Sequence, residues 1–246
     1  MERPIYLDYN ATTPTDASVA GELLPYLTLR FGNPSSGHPY GQEARQAVER
    51  ARARVAALLG CDPEEVIFTS GGTESNNHAL IGTAFANGGK GSHIITSTVE
   101  HPAVLSPLRW LEHHGFSVTC LPVDDRGRVD PQKVREAITD KTILISVMHA
   151  NNEVGTIEPL AEIGEIARGR GILFHTDAAQ SVGKIPTKVD DLGVDFLTVA
   201  GHKLYAPKGV GALYIRRGVQ IDSHLRGAGH EGGRRAGTEN VPYVVA

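Results

Sequence analysis

The sequence has 246 residues, of which 24 are basic, 28 are acidic and 40% are hydrophobic, and its formal net charge is −4. Neither charge sign forms a long run, which argues against nucleic-acid or membrane-surface binding, so the expected partners are small molecules and proteins. No apolar stretch reaches the roughly 18 residues that cross a bilayer, and the start has no signal-peptide core. These features predict a cytoplasmic globular protein.

Short apolar runs rich in β-branched residues alternate with longer helical patterns along the chain. This alternation predicts an α/β fold in which helices cover both faces of a mostly parallel, seven-stranded sheet. The predicted strands are 65–68, 93–97, 117–122, 142–148, 172–175, 195–199 and 211–215. The predicted helices are 41–59, 74–86, 103–113, 131–138 and 159–169. The glycine- and arginine-rich segment 225–239 predicts an ordered loop.

A glycine-containing motif, TSGGTESNN at 69–77, follows a predicted strand and opens a predicted helix. Ligands of open α/β sheets bind at the carboxyl ends of the strands. Gly72 allows close backbone approach, and the helix N-terminus with the Thr73 hydroxyl favours a phosphate. The alternative is a capped helix after a tight turn, and the motif lacks the lysine of a Walker A loop.

A second strand end carries a carboxylate and an amide, in the motif FHTDAAQS at 174–181. Asp177 suits a partner for a protonated pyridine nitrogen, which keeps such a ring an effective electron sink. Gln180 then donates to a hydroxyl oxygen on the ring. The alternative is that Asp177 only caps the next helix.

A third strand end carries a lysine among small residues, in TVAGHKLYAPKG at 198–209. Lys203 directly follows an apolar strand, where the surroundings lower the charge of an amine that forms a Schiff base. Lys208 is the competitor, but it follows a proline in a turn and is expected to be solvated. Lys203 is therefore the predicted reactive amine.

Two more strand ends carry a histidine and an asparagine. His101, in TVEHP at 98–102, is a flat ring that stacks on an aromatic ligand and moves a proton. Asn152, in MHANNEVG at 148–155, is placed to bind a cofactor hydroxyl or a substrate carboxylate.

Taken in order, these motifs closely resemble the cysteine desulfurases of the NifS/IscS type, in the class V aminotransferase branch of fold-type I pyridoxal 5′-phosphate (PLP) enzymes. Three further motifs carry the same resemblance: YLDYNATTP at 6–14, FGNPSS at 31–36 and RRAGTEN at 234–240. The resemblance covers essentially the whole chain.

The resemblance implies a role for each matched residue around the ring. Lys203 holds PLP as a Schiff base, and His101 stacks on the pyridine ring; these two are the expected catalytic residues. Asp177 pairs with the ring nitrogen, while Gln180 and Asn152 contact the ring hydroxyl, Asn152 also lying beside the substrate.

The resemblance also implies a phosphate cup, formed by Gly72, Thr73, Ala200, Gly201 and His202. Thr238 is expected to reach a phosphate across a homodimer interface. Family members often have a serine where Gly201 stands, so one side-chain phosphate contact is absent here while the backbone N–H remains.

The reaction implied converts L-cysteine to L-alanine and passes the sulfur to an enzyme thiolate and then to an acceptor protein. That acceptor is an iron–sulfur scaffold or a tRNA-thiolation carrier. The resemblance assigns residues 1–15 to a small domain and 16–246 to the large PLP-binding domain, and we expect the C-terminal part of the small domain to be missing from this chain.

The two cysteines, Cys61 and Cys120, do not match the family's catalytic cysteine. Cys61 follows a predicted helix, Cys120 lies inside a predicted apolar strand, and neither has the spacing of a disulfide framework or metal site. We therefore expect two free thiols, no metal, and a truncated desulfurase that binds PLP without delivering persulfide sulfur.

Other interpretations share part of this pattern. A selenocysteine lyase, or another class V lyase or aminotransferase, shares the cofactor pocket. A non-catalytic PLP-fold subunit predicts binding without turnover. A phosphate-binding protein without PLP leaves Lys203, Asp177 and His101 unexplained.

Overall fold

Seven apolar runs form one sheet in the computed structural model, which describes residues 4–246. The strands are β1 (Val66–Thr69), β2 (His93–Ser97), β3 (Ser117–Leu121), β4 (Thr142–Ser146), β5 (Leu173–Asp177), β6 (Phe196–Ala200) and β7 (Gly211–Ile215). Their order across the sheet is β1-β7-β6-β5-β4-β2-β3, and β7 alone runs antiparallel to its neighbours. The α/β class and all seven predicted strands are confirmed, with small shifts at the strand ends.

Helices cover both faces of the sheet. They are α1 (Ala17–Thr28), α2 (Pro39–Leu59), α3 (Gly72–Asn77), α4 (Thr83–Asn87), α5 (Pro102–Glu112), α6 (Pro131–Ala137), α7 (Leu160–Gly169), α8 (Val189–Leu192) and α9 (Val241–Val245). A π-helical turn, His78–Gly82, joins α3 to α4 without a break. Among the described residues, no helix combines the length and the apolar character needed to cross a membrane.

The predicted helices are confirmed at α2, α3 with α4, α5, α6 and α7, whereas α1 and α8 were not predicted. In α1 only Tyr26 is buried, and Pro25 lies inside the helix, so the apolar periodicity that indicates an amphipathic helix is weak. Its start is set by Asp16, whose carboxylate accepts from the Ser18 N–H at 2.8 Å.

Alternating strand residues build the core on the two faces of the sheet. Ile145 and Leu197 face one cluster with α7, whereas Leu144 faces another cluster that includes Leu108 of α5, and all four side chains are at most 1% exposed. Burying each such side chain stabilises the fold by about 1.5–3 kcal/mol. The resulting packing holds the strand ends in place.

The strands β1, β2, β4, β5 and β6 all end at the same edge of the sheet. At this edge the start of β7 allows a close approach, because a Cβ on Gly211 would lie 2.7 Å from the Gly71 Cα. Only glycine fits there. The loop after β1 therefore packs directly on the sheet, with α3 beginning just beyond it.

The N-terminal strap, residues 8–16, crosses this edge and binds the turn after β6. The N–H and Oγ1 of Thr13 both donate to the His202 carbonyl at 2.9 Å, and Thr13 Oγ1 accepts from the Tyr205 N–H at 2.9 Å. Tyr205 adopts the left-handed region with φ 62°, an uncommon conformation for this residue type. The strap therefore helps to hold the turn that contains Lys203.

A buried ion pair ties the glycine-rich segment 225–239 to α2 and β1. Arg52 binds both carboxylate oxygens of Glu231, at 2.6 and 3.0 Å, and Glu231 also accepts from the Phe68 N–H at 2.9 Å. The side chains are only 10% and 2% exposed. The segment is an ordered loop as predicted, with one short 3₁₀ turn, Glu231–Gly233.

Replacing Arg52 with methionine leaves the Glu231 carboxylate buried without its cation, so we expect Arg52→Met to lower the free energy of unfolding by about 3–5 kcal/mol. The matched control is Arg217→Met, which removes an exposed pair with Asp62 and should cost no more than about 1 kcal/mol. Urea denaturation of both variants measures the difference. Equal losses would show that the buried pair contributes no more than the exposed one.

Candidate functional site

A cavity of about 610 Å³ opens at the shared edge of the sheet, a size typical of small-molecule sites. It is lined by the loops after β1, β2, β4, β5 and β6 and by the N-terminal strap. Most of the predicted site residues line it: Gly72, Thr73, His101, Asn152, Asp177, Gln180, Ala200, His202 and Lys203. The sequence motifs, far apart along the chain, therefore meet in one place.

Asp177 is the last residue of β5, and both of its carboxylate oxygens are hydrogen-bonded. Oδ1 accepts from the Ala179 N–H at 2.9 Å, and Oδ2 accepts from Asn76 Nδ2 at 2.7 Å. The side chain is nearly buried but borders the cavity. A carboxylate held in this way presents a fixed negative charge to a ligand.

Lys203 lines the same cavity as this carboxylate, in the 3₁₀ turn after β6. Burial lowers the pKa of its ammonium group, and the charge of Asp177 partly opposes that effect, while Lys184 adds to the lowering. A lysine with a lowered pKa has more of the neutral amine that acts as a nucleophile. Lys208 is exposed and lies outside the cavity lining.

The start of α3 forms another wall. Gly71, at φ 144°, turns the chain into the helix, and Gly72 follows so closely against the sheet that its Cβ would lie 3.3 Å from the Cβ of Ala200. The first N–H groups of a helix have no acceptor within it, so Gly72 and Thr73 present donors suited to a phosphate.

Glu74 brings a negative charge to this same wall. Its carboxylate pairs with Arg235 at 2.8 Å and accepts from the Ser70 N–H at 2.9 Å. Burial opposes ionisation of Glu74, but these hydrogen bonds outweigh it and lower its pKa. Arg235 therefore offsets the charge of a carboxylate that would otherwise repel an anion.

His101 is the N-cap of α5 and lies at the mouth of the cavity. Its Nδ1 accepts from the Ala103 N–H at 3.0 Å, so the neutral ring carries its proton on Nε2. The capping bond fixes the ring at the cavity while leaving Nε2 available.

Asn10 of the strap links two predicted ring contacts. Its carbonyl accepts from Gln180 Nε2 at 3.0 Å, and its Nδ2 donates to the Asn152 carbonyl at 3.3 Å. Gln180 Oε1 also accepts from Lys184 Nζ at 3.2 Å. The strap motif was noted in the sequence, but no role was predicted for Asn10 because its partners lie more than a hundred residues away.

Two predicted site residues lie outside the cavity lining. The Gly201 N–H, which was expected to remain available to a phosphate, donates to the Val210 carbonyl at 3.0 Å. A Cβ on Gly201 would lie 2.9 Å from Val210 Cγ1, which explains why glycine stands there. Thr238 lines a separate pocket of about 130 Å³.

Neither cysteine lies at the cavity. Burial raises the pKa of Cys61 to about 11, and burial also raises the pKa of Cys120. Cys120 lies within the edge strand β3, as predicted, but its side chain is exposed there. Both thiols are poor nucleophiles at neutral pH.

No three histidine, cysteine, aspartate or glutamate side chains of the described part form a metal-binding group.

Comparison with known proteins gives the family. Residues 5–246 match the family described as Aminotransferase class-V. The chain belongs to the class-V aminotransferase family. This family is PLP-dependent, and the resemblance that the sequence motifs indicated is confirmed.

Two class-V relatives named cysteine desulfurase IscS, from Dictyoglomus turgidum and Methanosarcina thermophila, are 55% and 54% identical to the chain. The matches cover 100% and 99% of the chain but 62% and 60% of the relatives. The chain therefore spans about three fifths of the length of these curated relatives.

Solved structures of a NifS-like protein and of SspA in complex with cysteine each match with a TM-score of 0.95 at 42% identity. Each match covers 98% of the chain, and the chain covers 67% and 70% of those proteins. These likenesses confirm the PLP-dependent fold of type I.

The cavity of this class-V chain suits PLP on the side chains it presents. It joins a helix N-terminus for the phosphate, a fixed carboxylate for the ring nitrogen and an amine of lowered pKa for the aldehyde. Asn76 Oδ1 is a buried amide oxygen at this cavity without a partner among the described residues. The donor set therefore fits the family's cofactor.

Glu100, which was not predicted as a site residue, connects two strand ends next to the cavity. Its Oε1 accepts from Ser97 Oγ at 2.6 Å and from the Met148 N–H at 2.9 Å, joining the ends of β2 and β4. Burial raises its pKa to about 8, although both hydrogen bonds act in the opposite direction. Its place next to His101 was the only sequence signal.

Because the folded state raises the pKa of Glu100 from 4.5 to about 8, its contribution to stability is full below pH 4.5 and is lost as pH rises through 8. In Glu100→Gln this group no longer titrates, so the decline in the free energy of unfolding over that range should become shallower. Urea denaturation at several pH values measures the slope. Glu112→Gln, exposed on α5, is the control, and equal slopes in the two variants would contradict the expectation.

Proposed function

We propose that this chain is the PLP-binding part of a cysteine desulfurase that acts on L-cysteine. The observation that carries the proposal is the meeting of Lys203, Asp177 and the start of α3 at one cavity. Relatives named cysteine desulfurase are 55% identical over the chain, and a similar solved structure is titled as a complex with cysteine. Both support cysteine as the substrate.

Each predicted residue receives a role at this cavity. When bound, PLP supplies an aldehyde that reacts with amines and a ring that accepts electron density from the substrate α-carbon. Lys203 holds the cofactor and then moves the proton at the α-carbon, with His101 as a second proton carrier. Asp177 holds the ring nitrogen, and Gln180 with Asn152 orients the ring hydroxyl and the substrate.

The phosphate is proposed to bind at Gly72 and Thr73, near Ala200 and His202. In a homodimer, Thr238 reaches the phosphate of the partner subunit; its position away from its own cavity supports that arrangement. Gly201 shapes the turn rather than donating to the phosphate, since its N–H is used within the sheet.

The domain assignment is also a proposal. Residues 16–246 form the large PLP-binding domain, and residues 1–15 belong to a small domain. Within residues 1–15, positions 1–3 lie outside the described residues. The strap supports this division, because it runs over the cavity instead of joining the sheet.

The sulfur step requires a thiolate that attacks the substrate sulfur as its bond to carbon breaks, while a proton returns to carbon to give L-alanine. We propose that neither Cys61 nor Cys120 is that thiolate, because both lie outside the cavity and have raised pKa values. The sulfur then passes to an iron–sulfur scaffold or a tRNA-thiolation carrier in the cytoplasm. A selenocysteine lyase would use the same cavity with selenocysteine.

Borohydride reduction of the PLP-loaded chain tests the central assignment. We expect a visible absorption band on adding PLP, and reduction should attach the cofactor to Lys203, as located by peptide mass spectrometry. Lys203→Ala should lose the label. In an enzyme form with measurable desulfurase activity, the same substitution should lower that activity by at least ~100-fold. Lys208→Ala should keep the label, and a label on Lys208 or none at all would contradict the proposal.

A double variant, Cys61→Ser with Cys120→Ser, tests the sulfur assignment. The variant should bind PLP and L-cysteine with the same spectral change as the unsubstituted chain, because neither thiol touches the cavity. Intact-mass analysis of the unsubstituted chain after incubation with L-cysteine should show no persulfide on Cys61 or Cys120. Alanine release matched by persulfide at one of them would overturn the assignment.

A further inference from the structure

A buried amide connects the phosphate side of the cavity to the carboxylate of Asp177. Asn76 lies on α3, one helical turn after the cavity residues Gly72 and Thr73, and its side chain is 1% exposed. Its Nδ2 donates to Asp177 Oδ2 at 2.7 Å. The same helix that presents donors to a phosphate therefore also holds the carboxylate that lines this cavity.

The remaining amide atom of Asn76 shows that this contact is not explained by packing alone. Its Oδ1 is buried and has no hydrogen-bond partner among the described residues. Burying an unpaired amide oxygen costs free energy that an apolar side chain of similar size would avoid. Asn76 is thus placed for the one bond that it donates to Asp177.

Helix α3, which carries Asn76, is held in place independently of the hydrogen bond from Asn76 to Asp177. The Ser75 hydroxyl bonds to Thr69 Oγ1 at 2.8 Å and to the Ala212 carbonyl at 3.1 Å, which ties the first turn of α3 to β1 and β7. Because the helix cannot shift easily, the distance from Asn76 to Asp177 is set by the fold. The amide therefore selects one orientation of the carboxylate.

We propose that Asn76 is a positioning residue that holds Asp177 in the orientation required by the ring nitrogen of PLP. This inference rests on the proposed function and extends it. Asn76 acts through Asp177: the amide donates to one oxygen, the Ala179 N–H donates to the other, and the carboxylate so held lines the cavity. Loss of the amide frees the carboxylate to turn away from the position in which it would pair with the ring nitrogen.

The test compares Asn76→Ala and Asn76→Asp with Asn77→Ala, a matched control on the same helix whose side chain donates to the Thr73 carbonyl and, within residues 4–246, to no other group. PLP dissociation constants, the visible spectrum of the bound cofactor and its pH dependence are measured on the PLP-loaded chain. Urea denaturation without PLP reports any purely structural effect.

Asn76→Ala should weaken PLP binding by ~10-fold, since a hydrogen bond to a charged group is lost, and should shift the pH midpoint of the visible band. Asn76→Asp should weaken binding further, because a second carboxylate then faces Asp177. The control should match the unsubstituted chain. If Asn76→Ala does not fold, Asn76→Ser is measured in its place.

Unchanged PLP affinity and spectrum in Asn76→Ala would overturn the inference, as would a loss of apo stability with no spectral change. In either case the unsubstituted chain still carries its label on Lys203, so the proposed function stands. Failure of the unsubstituted chain to bind PLP at all would overturn both.

Discussion

The site depends on the parallel pairing of β4, β5 and β6, which brings the ends of successive strands to one edge of the sheet. Asp177 and Lys203 stand at the ends of β5 and of β6 with its following turn, and the β5–β6 hydrogen bonds fix their separation. The reversed strand β7 shows the same constraint from the other side. It contributes only its first residues to this edge, and there only glycine fits against the loop after β1.

Two carboxylates near this edge, those of Asp177 and Glu100, differ in their hydrogen bonding and in their access to the cavity. Asp177 borders the cavity and has a donor on each oxygen, so it presents an oriented charge. Glu100 is buried away from the cavity lining, where both donors fall on the same oxygen and burial raises the pKa to about 8. Asp177 lines the cavity while Glu100 joins two strand ends, although both are acids at or just after the end of a strand.

Residues directly after strands were predictable because the carboxyl-end rule converts strand order into proximity. Lys203, Asp177 and His101 were found in this way and line one cavity. The rule says nothing about contacts between distant segments, so the link from Asn10 to Gln180 was missed. The tight space around Gly201 was missed for a different reason, since it depends on how closely Val210, just before the neighbouring strand β7, packs against the end of β6.

The contact between Thr13 and the turn after β6 joins residues 189 and 192 positions apart. Pairing over such a distance forms late in folding, because the intervening chain must be ordered before the ends meet. During synthesis from the N-terminus, the strap cannot form these hydrogen bonds until Tyr205 has left the ribosome. The turn that contains Lys203 therefore reaches its final conformation only after nearly all of the sheet has been synthesised. A ligand that needs this turn is expected to bind near the end of folding and not to guide its early steps.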